Sequence, residues 1–336
     1  MRCHFVLGAL FTTILAYAYG QTRTFSFSAE RTLPEMAETT VVIRAMTDGA
    51  TVSTDLANRT LAVTGTPDQL AIGAWLFSAL EEPALGSSDD GSPIVKEYPL
   101  AGGETVHVDY LPGVGSMQGM QEIVTLVRST TDLRRAYTGN RVRAAIMRGP
   151  RDQVELSDWL LSELGPASRQ EPAETLAMHE YAKPVSVDRT PELTGSARVY
   201  WLAHTATPQD FQEMVTIARS LAGIRYLLTY TQARAVAARG TKDQLGIVDW
   251  LFREFDRAAS QGTPDESVHE YQLPERAEAV RMFYLGRDQS PQDAVARIRA
   301  VADIPRIYTY TALRALVVRG TTDQIAVVER VITANK

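Results

Sequence analysis

Hydrophobic and polar positions divide this chain into short strand-like runs and longer helical runs, in an order that occurs four times. The copies share the sequence Gly-x-x-Asp-Gln, which begins at Gly65, Gly149, Gly240 and Gly320, at intervals of 84, 91 and 80 residues. An apolar strand-like run precedes each copy, and a run with helical periodicity follows it. Repetition at nearly constant spacing predicts a tandem array of one structural unit.

The shared motif predicts the start of a helix. Glycine allows the sharp backbone turn at the end of the strand, and the threonine after it can cap a helix whose third residue is the glutamine. We therefore expect a capping box at Thr66, Thr241 and Thr321, and a weaker cap at Pro150. The motif aspartates favour the positive end of the helix dipole, so they need no catalytic role. They are Asp68, Asp152, Asp243 and Asp323.

Another helix is predicted upstream of each hairpin. Thr207-Pro208 and Ser290-Pro291 pair a capping hydroxyl with proline at the first helical position. Strand-like stretches at 197–202 and 280–285 precede these two helices. The order per unit is therefore βαββα. The predicted fold class is α+β, a tandem array of four βαββα units, each a small mixed sheet with two helices on one face.

Proline, serine, glycine and acidic residues mark the predicted boundaries. The predicted segments are a signal peptide at 1–20, unit 1 at 21–83, a linker at 84–103, unit 2 at 104–166, a linker at 167–195, unit 3 at 196–258, a linker at 259–278 and unit 4 at 279–336. Each linker contains a Glu-Tyr pair, at Glu97-Tyr98, Glu180-Tyr181 and Glu270-Tyr271. We expect each pair to start an extended segment that lies beside the preceding unit.

Three tryptophans occupy one position of the repeat, seven residues after the motif aspartate. They are Trp75, Trp159 and Trp250, and the fourth unit has Arg330 there. Helical geometry places Trp250 away from the predicted sheet-facing side of its helix. Because terminal repeats turn polar where no neighbour docks, we expect the tryptophans to form an interface between units with Tyr98, Tyr181 and Tyr271. Two alternatives are packing within each unit's own core and an exposed aromatic row that binds a partner.

The N-terminus is typical of an exported protein. A basic start precedes an apolar run of fourteen residues from Phe5 to Ala18, with small residues before a predicted cleavage site after Gly20. A retained N-terminal anchor is the alternative. No later apolar run is longer, so no membrane span is expected in the mature chain. Localisation is predicted to be periplasmic or secreted.

Composition excludes several kinds of site. Cys3, the single cysteine of the 336-residue chain, lies in the signal, so the mature chain has no thiol for disulfides, zinc-thiolate sites or nucleophilic catalysis. Loss of Arg2 changes the formal charge from -6 to -7. An acidic surface argues against a nucleic-acid partner.

Motifs of catalysis are absent from the sequence. There is no His-Glu-x-x-His, Gly-x-Ser-x-Gly or phosphate-binding loop. The glycines of 111–116 predict the turn between the first strand and first helix of unit 2. His179 and His269 share one repeat position, which indicates inherited linker sequence. No catalytic, cofactor-binding or metal-binding residue is predicted, and no cofactor is expected.

The hairpin and helix start at Asn58–Gln69, ending a βαββα unit, resemble the N-terminal ring-building domains of bacterial secretins, which assemble outer-membrane secretion and pilus channels. The resemblance extends over all four units. The other three hairpins lack a counterpart of Asn58, and no glycine-rich amphipathic strands follow unit 4, so a channel is not expected. The resemblance implies a periplasmic interaction module, which is an inference by fold analogy.

Two functional hypotheses follow. The first is an exported, non-enzymatic scaffold, associated with a secretion or envelope assembly, that binds a protein partner or self-associates. The second is an exported hydrolase or small-ligand binder that uses a cleft between units. A deep pocket with converging polar side chains would favour the second hypothesis.

Overall fold

The computed structural model describes residues 20–82, 93–166, 175–187, 190–205, 207–257, 269–274, 276–286 and 288–334. The predicted signal peptide, with Cys3, lies outside these residues except for Gly20, as does part of each predicted linker. No helix in these ranges is both long and apolar enough to cross a membrane. The fold is α+β, with small sheets and helices in tandem βαββα order.

Repeat 1 has the five predicted elements. They are β1 (Gln21–Ser26), α1 (Leu33–Met46), β2 (Thr51–Asp55), β3 (Thr60–Gly65) and α2 (Pro67–Glu81). The strand order is β1-β3-β2.

Repeat 2 adds a strand before this pattern. Its elements are β4 (Ile94–Pro99), β5 (Glu104–Tyr110), α3 (Met117–Thr131), β6 (Arg135–Gly139), β7 (Ala144–Pro150) and α4 (Arg151–Leu164). The strand order is β4-β5-β7-β6. The predicted turn at 111–116 lies between β5 and α3, as expected.

Repeat 3 adds two short strands and repeat 4 adds one. Repeat 3 has β8 (Ala177–Glu180), β9 (Val185–Val187), β10 (Thr190–Trp201), α5 (Pro208–Ala222), β11 (Tyr226–Tyr230), β12 (Ala235–Gly240) and α6 (Lys242–Phe255). Repeat 4 has β13 (His269–Gln272), β14 (Glu278–Tyr284), α7 (Pro291–Val301), β15 (Arg306–Tyr310), β16 (Ala315–Thr321) and α8 (Thr322–Thr333). The orders are β11-β12-β10-β8, with β9 also on β10, and β13-β14-β16-β15.

The predicted helix starts are confirmed. Reciprocal capping boxes form at Thr66, Thr241 and Thr321, each with the glutamine three residues later. Pro150 makes no side-chain capping bond. Thr207 and Ser290 cap the upstream helices, each with proline in the first turn. Local capping chemistry therefore sets where these helices begin.

The prediction of mixed sheets is wrong, because every ladder in the described residues is antiparallel. The strand that ends at the motif glycine is central in each repeat. It pairs with its hairpin partner on one side and with the first strand of the repeat on the other. The two outer strands run in the same direction but never pair with each other, so no parallel ladder arises.

The Glu-Tyr segments also differ from the prediction. Glu97, Glu180 and Glu270 lie in β4, β8 and β13, and these strands pair with the first strand of the repeat that follows. The prediction that the segments lie beside the preceding unit is therefore wrong for their backbone. The open edge of the following strand supplies the hydrogen-bonding groups that these segments need.

The elements form two bodies, which divide between Glu81 and Glu82. The first body contains repeat 1, whose helices cover one face of its sheet, with Leu61 and Val63 fully buried. The second body contains repeats 2, 3 and 4. Its cores are shared between consecutive repeats.

Candidate interaction surfaces

In the second body, the sheet of each later repeat packs on the helices of the repeat before it. Trp201, Tyr230 and Ala237 of the repeat 3 sheet belong to the same buried cluster as the α3 and α4 side chains of repeat 2. Met282 and Tyr310 of the repeat 4 sheet are likewise buried with the helices of repeat 3. The helices thus lie between two sheets, and the sheets of repeats 3 and 4 bury both faces.

The two interfaces repeat a specific polar contact at the hairpin tip. The backbone amide of Thr231 donates to Oε1 of Glu122 on α3, at 2.6 Å. Thr311, at the same position one repeat later, donates from its amide to Oε1 of Glu213 on α5 at 3.2 Å and from its hydroxyl to the same oxygen at 2.9 Å. A carboxylate on the first helix therefore fixes the hairpin of the next repeat.

A buried arginine anchors the other end of each interface. Arg239 of β12 is paired with Asp132, the residue that ends α3, and its guanidinium lies 3.9 Å from the ring centroid of Tyr226. Arg319 of β16 donates to the carbonyl oxygen of Leu221 at 2.7 Å. Both arginines meet the C-terminal end of the preceding helix, where cations are favoured by the helix dipole.

The predicted tryptophan and tyrosine residues meet in two places. The ring centroids of Trp159 and Tyr181 lie 5.3 Å apart, and those of Trp250 and Tyr271 lie 6.3 Å apart. All four side chains are half-buried. Tyr271 also lies over Gly246 of α6, where any side chain would collide with the phenol.

Trp75 belongs to the first body and Tyr98 to the second, and both are half-buried. Arg330, at the tryptophan position of repeat 4, is exposed. The role of the six aromatic residues as an interface between units stays a prediction.

A repeated histidine pair was missed as a contact. Nδ1 of His179 lies 2.9 Å from Oε2 of Glu163, and Nδ1 of His269 lies 2.9 Å from Oε2 of Glu254. Each glutamate is eleven residues after the motif aspartate, so the common spacing was the available signal. The backbones of β8 and β13 pair with the first strand of the following repeat. Their histidines contact the second helix of the preceding repeat.

Repeat 2 has a cluster of polar side chains between its sheet and its second helix. His107 and Asp109 of β5 face Asp158 of α4, and their possible ligand atoms all lie within 4.8 Å of one another. Nδ1 of His107 is 3.1 Å from Oδ2 of Asp158, and Nε2 is 3.8 Å from Oε1 of Glu97. Asp109 is completely buried. Its pKa is raised well above the ordinary value, mainly by burial and secondly by the negative charge of Asp158.

An open cleft of about 390 Å³ lies between repeats 2 and 3. Four of its charged lining residues form ion pairs, Lys183 with Glu155 and Arg239 with Asp132. Tyr181 also lines the cleft, and burial raises its pKa, so its phenol is neutral at neutral pH. These pairings give the cleft a structural role in joining the two repeats.

No protein-family model matches the chain, and no curated protein matches its sequence. Among solved structures, the chain is similar to the secretin ExeD of Aeromonas hydrophila, at 14% sequence identity, with 69% of this chain and 40% of that chain covered. The TM-score is 0.15, which does not establish a shared overall fold. The chain thus spans less than half the length of ExeD.

Proposed function

We propose that this protein is an exported, non-enzymatic scaffold that binds a protein partner or further copies of itself, in a secretion or envelope assembly of the kind that secretins build. The observation that carries the proposal is the shared core of repeats 2, 3 and 4, in which each sheet covers the preceding helices. Such surfaces are built for protein-protein packing, with buried aromatic residues and arginine at their centre.

The outer edge of β1 is the surface best suited to a further polypeptide. In repeats 2, 3 and 4, an added strand pairs with the outer edge of the equivalent strand. Among the described residues no strand pairs with that edge of β1, whose residues are mostly exposed. An extended segment of another chain can add there through main-chain hydrogen bonds, in the same way as β4, β8 and β13 do within this chain.

The alternative, a hydrolase or small-ligand binder, would use the cleft between repeats 2 and 3. The ion pairs Lys183–Glu155 and Arg239–Asp132 in this cleft engage these side chains with each other, which favours the scaffold. A catalytic carboxylate or histidine would need a perturbing environment in contact with solvent and substrate.

Light scattering on the chain that begins at Gln21 tests the scaffold proposal. We expect its mass to rise from that of one chain toward a defined multiple between micromolar and millimolar concentration. Hydrogen exchange then locates the contact. Amides of β1 should exchange more slowly in the assembly than in the monomer, whereas amides of β2, the opposite edge of the same sheet, serve as the matched control.

A strict monomer throughout this range would refute self-association. An assembly in which β1 and β2 are equally unprotected would show that the edge of β1 is not the contact.

A further inference from the structure

Repeat 2 departs from the other repeats at two positions of its first strand. The ladders to the central strand align His107 with Arg23, Arg198 and Arg281. The same alignment places Asp109 where the other repeats have aromatic residues, which are Phe25, Tyr200 and Phe283. An arginine is therefore replaced by histidine, and an aromatic ring, buried in repeats 3 and 4, by a carboxylate.

The arginine has a clear role in repeats 3 and 4. In repeat 3, the guanidinium of Arg198 lies between two carboxylates, 2.9 Å from Glu180 on the linker strand and 2.5 Å from Asp249 on α6. In repeat 4, Arg281 lies 2.8 Å from Glu329 and 3.8 Å from Glu270. One cation therefore bridges the linker strand and the second helix of each repeat.

Repeat 2 keeps both carboxylates but lacks this cation. Glu97 and Asp158 occupy the carboxylate positions, and Asp109 adds a third. With a neutral histidine the four groups carry three negative charges, whereas the four equivalent groups of repeat 3 carry one, since Arg198 offsets one of its two carboxylates. Arg151 approaches Glu97 at 3.7 Å, but its side chain is 71% exposed and it does not reach the interior.

Three buried polar atoms of the cluster lack hydrogen-bond partners, although Nδ1 of His107 contacts Asp158. Neither carboxylate oxygen of Asp109 has a donor, although the residue is 0% exposed, and Nε2 of His107 has none either, although His107 is 6% exposed. An unpaired buried carboxylate is costly unless it is neutralised or bound to a cation.

The geometry points to a divalent transition-metal site formed by His107, Asp109 and Asp158, in which the metal replaces the arginine of the other repeats. Imidazole and carboxylate are the ligands that Zn²⁺ and related cations take, at bond lengths of about 2.0–2.2 Å. The possible ligand atoms lie within 4.8 Å of one another, so small side-chain movements toward the centre would bring them to bonding distance of one such ion. Asp158 and Glu97, with side chains 25% and 42% exposed, give solvent access to the site.

The site's role follows from its position. The metal would tie β5 to α4, as Arg198 ties β10 to α6 and Arg281 ties β14 to α8. This inference does not depend on the proposed scaffold function.

Zinc binding by the chelator-treated mature chain tests the site. Titration calorimetry should give one Zn²⁺ per chain, Co²⁺ should give a visible absorption band of a His-carboxylate site that Zn²⁺ abolishes, and Zn²⁺ should raise the melting temperature.

The matched variant is His107→Arg with Asp109→Phe, which copies repeat 4. This variant should fold, should show no Co²⁺ band, and should melt at a temperature independent of Zn²⁺. Its Zn²⁺ affinity should fall by more than the roughly 10–100-fold that loss of an outer-shell partner costs. The control Asp249→Asn alters the equivalent acidic residue of repeat 3 and should leave Zn²⁺ binding unchanged. Control variants His179→Gln and His269→Gln should also retain it.

Absence of stoichiometric Zn²⁺ binding by the unaltered chain would overturn the inference. So would Zn²⁺ binding that survives in the double variant, since that would place the metal elsewhere.

Discussion

The amide of Thr231 donates a 2.6 Å hydrogen bond to the carboxylate of Glu122, which lies on a helix of the preceding repeat. Thr311 and Glu213 form the same relationship between repeats 3 and 4. In repeat 4 the equivalent helix position is Ala296, which is exposed. The carboxylate therefore occurs in repeats 2 and 3, where it binds the following hairpin, and alanine replaces it in repeat 4.

Glu213→Ala is expected to weaken the interface between repeats 3 and 4. It removes the acceptor of two hydrogen bonds from Thr311, and a bond to a charged group at a partly exposed site contributes about 1 kcal/mol. Urea unfolding should show this loss in stability. In a double-mutant cycle with Thr311→Val, a coupling energy near zero would mean that the hydroxyl contributes nothing to the contact.

The sequence predicted the local structure of this chain better than its assembly. The helix starts at Thr241 and Thr207 could be predicted because capping depends on residues only three positions apart. The antiparallel order of strands could not, since which strand pairs with the far side of a hairpin depends on packing across many residues. The burial of both sheet faces had a signal in the continuous apolar run from Val199 to Leu202, which is typical of strands covered on both sides.

The candidate metal site was also recoverable in part. The substitution of His107 and Asp109 for arginine and an aromatic residue becomes visible only when the first strands of the repeats are aligned. That alignment requires the pairing register between the first strand and the strand that ends at the motif glycine. The histidines that share a repeat position in the sequence, His179 and His269, pair with glutamates instead. Side chains brought together from a strand and a helix some fifty positions apart have no local sequence signature.

Thr241→Ala is expected to cost about 1 kcal/mol of stability through loss of the helix cap. The hydroxyl of Thr241 accepts from the amide of Gln244 at 3.3 Å, and the Gln244 side chain accepts from the amide of Thr241 at 3.0 Å. Urea unfolding measures the change. Lys242→Ala, one residue into the helix, is the control, and an unchanged midpoint for Thr241→Ala would show that the cap is solvated.

Arg314 is expected to tolerate glycine better than alanine. It has a φ of 48°, and Arg59, Arg143 and Arg234 share this left-handed conformation six residues before the motif glycine. Both substitutions remove the guanidinium bonds to the carbonyls of Gly286 and Gln289. Only alanine keeps a β-carbon in the strained conformation, so Arg314→Ala should be less stable than Arg314→Gly by about 1 kcal/mol.

Thermal or urea unfolding compares the two variants directly. Ala312→Gly, in the same hairpin turn but without a positive φ, should be destabilising. Equal stability of the two Arg314 variants would show that the left-handed backbone carries no strain at this turn.

Stability is expected to fall as the pH rises above 10, because buried and half-buried tyrosines resist ionisation in the folded state. Burial raises the pKa of Tyr284 to about 12, and it also raises the pKa values of Tyr310 and Tyr200 above their ordinary value. Near pH 10 the unfolded chain begins to ionise these phenols while the folded chain keeps them neutral, so ionisation favours unfolding. Below pH 10 the three groups should leave stability unchanged, since they are neutral in both states.

An alkaline titration followed at 295 nm, together with urea midpoints at successive pH values, measures this effect. The exposed tyrosines should ionise first, and the buried ones should ionise only together with the loss of the circular dichroism of the folded state. Tyr310 packs against Phe255, at 4.4 Å between ring centroids, in the interface between repeats 3 and 4. Tyr310→Phe should therefore keep this packing and flatten the fall in stability above pH 10. Ionisation of all tyrosines in one step near pH 10, with the fold intact, would contradict the buried interface that the shared core requires.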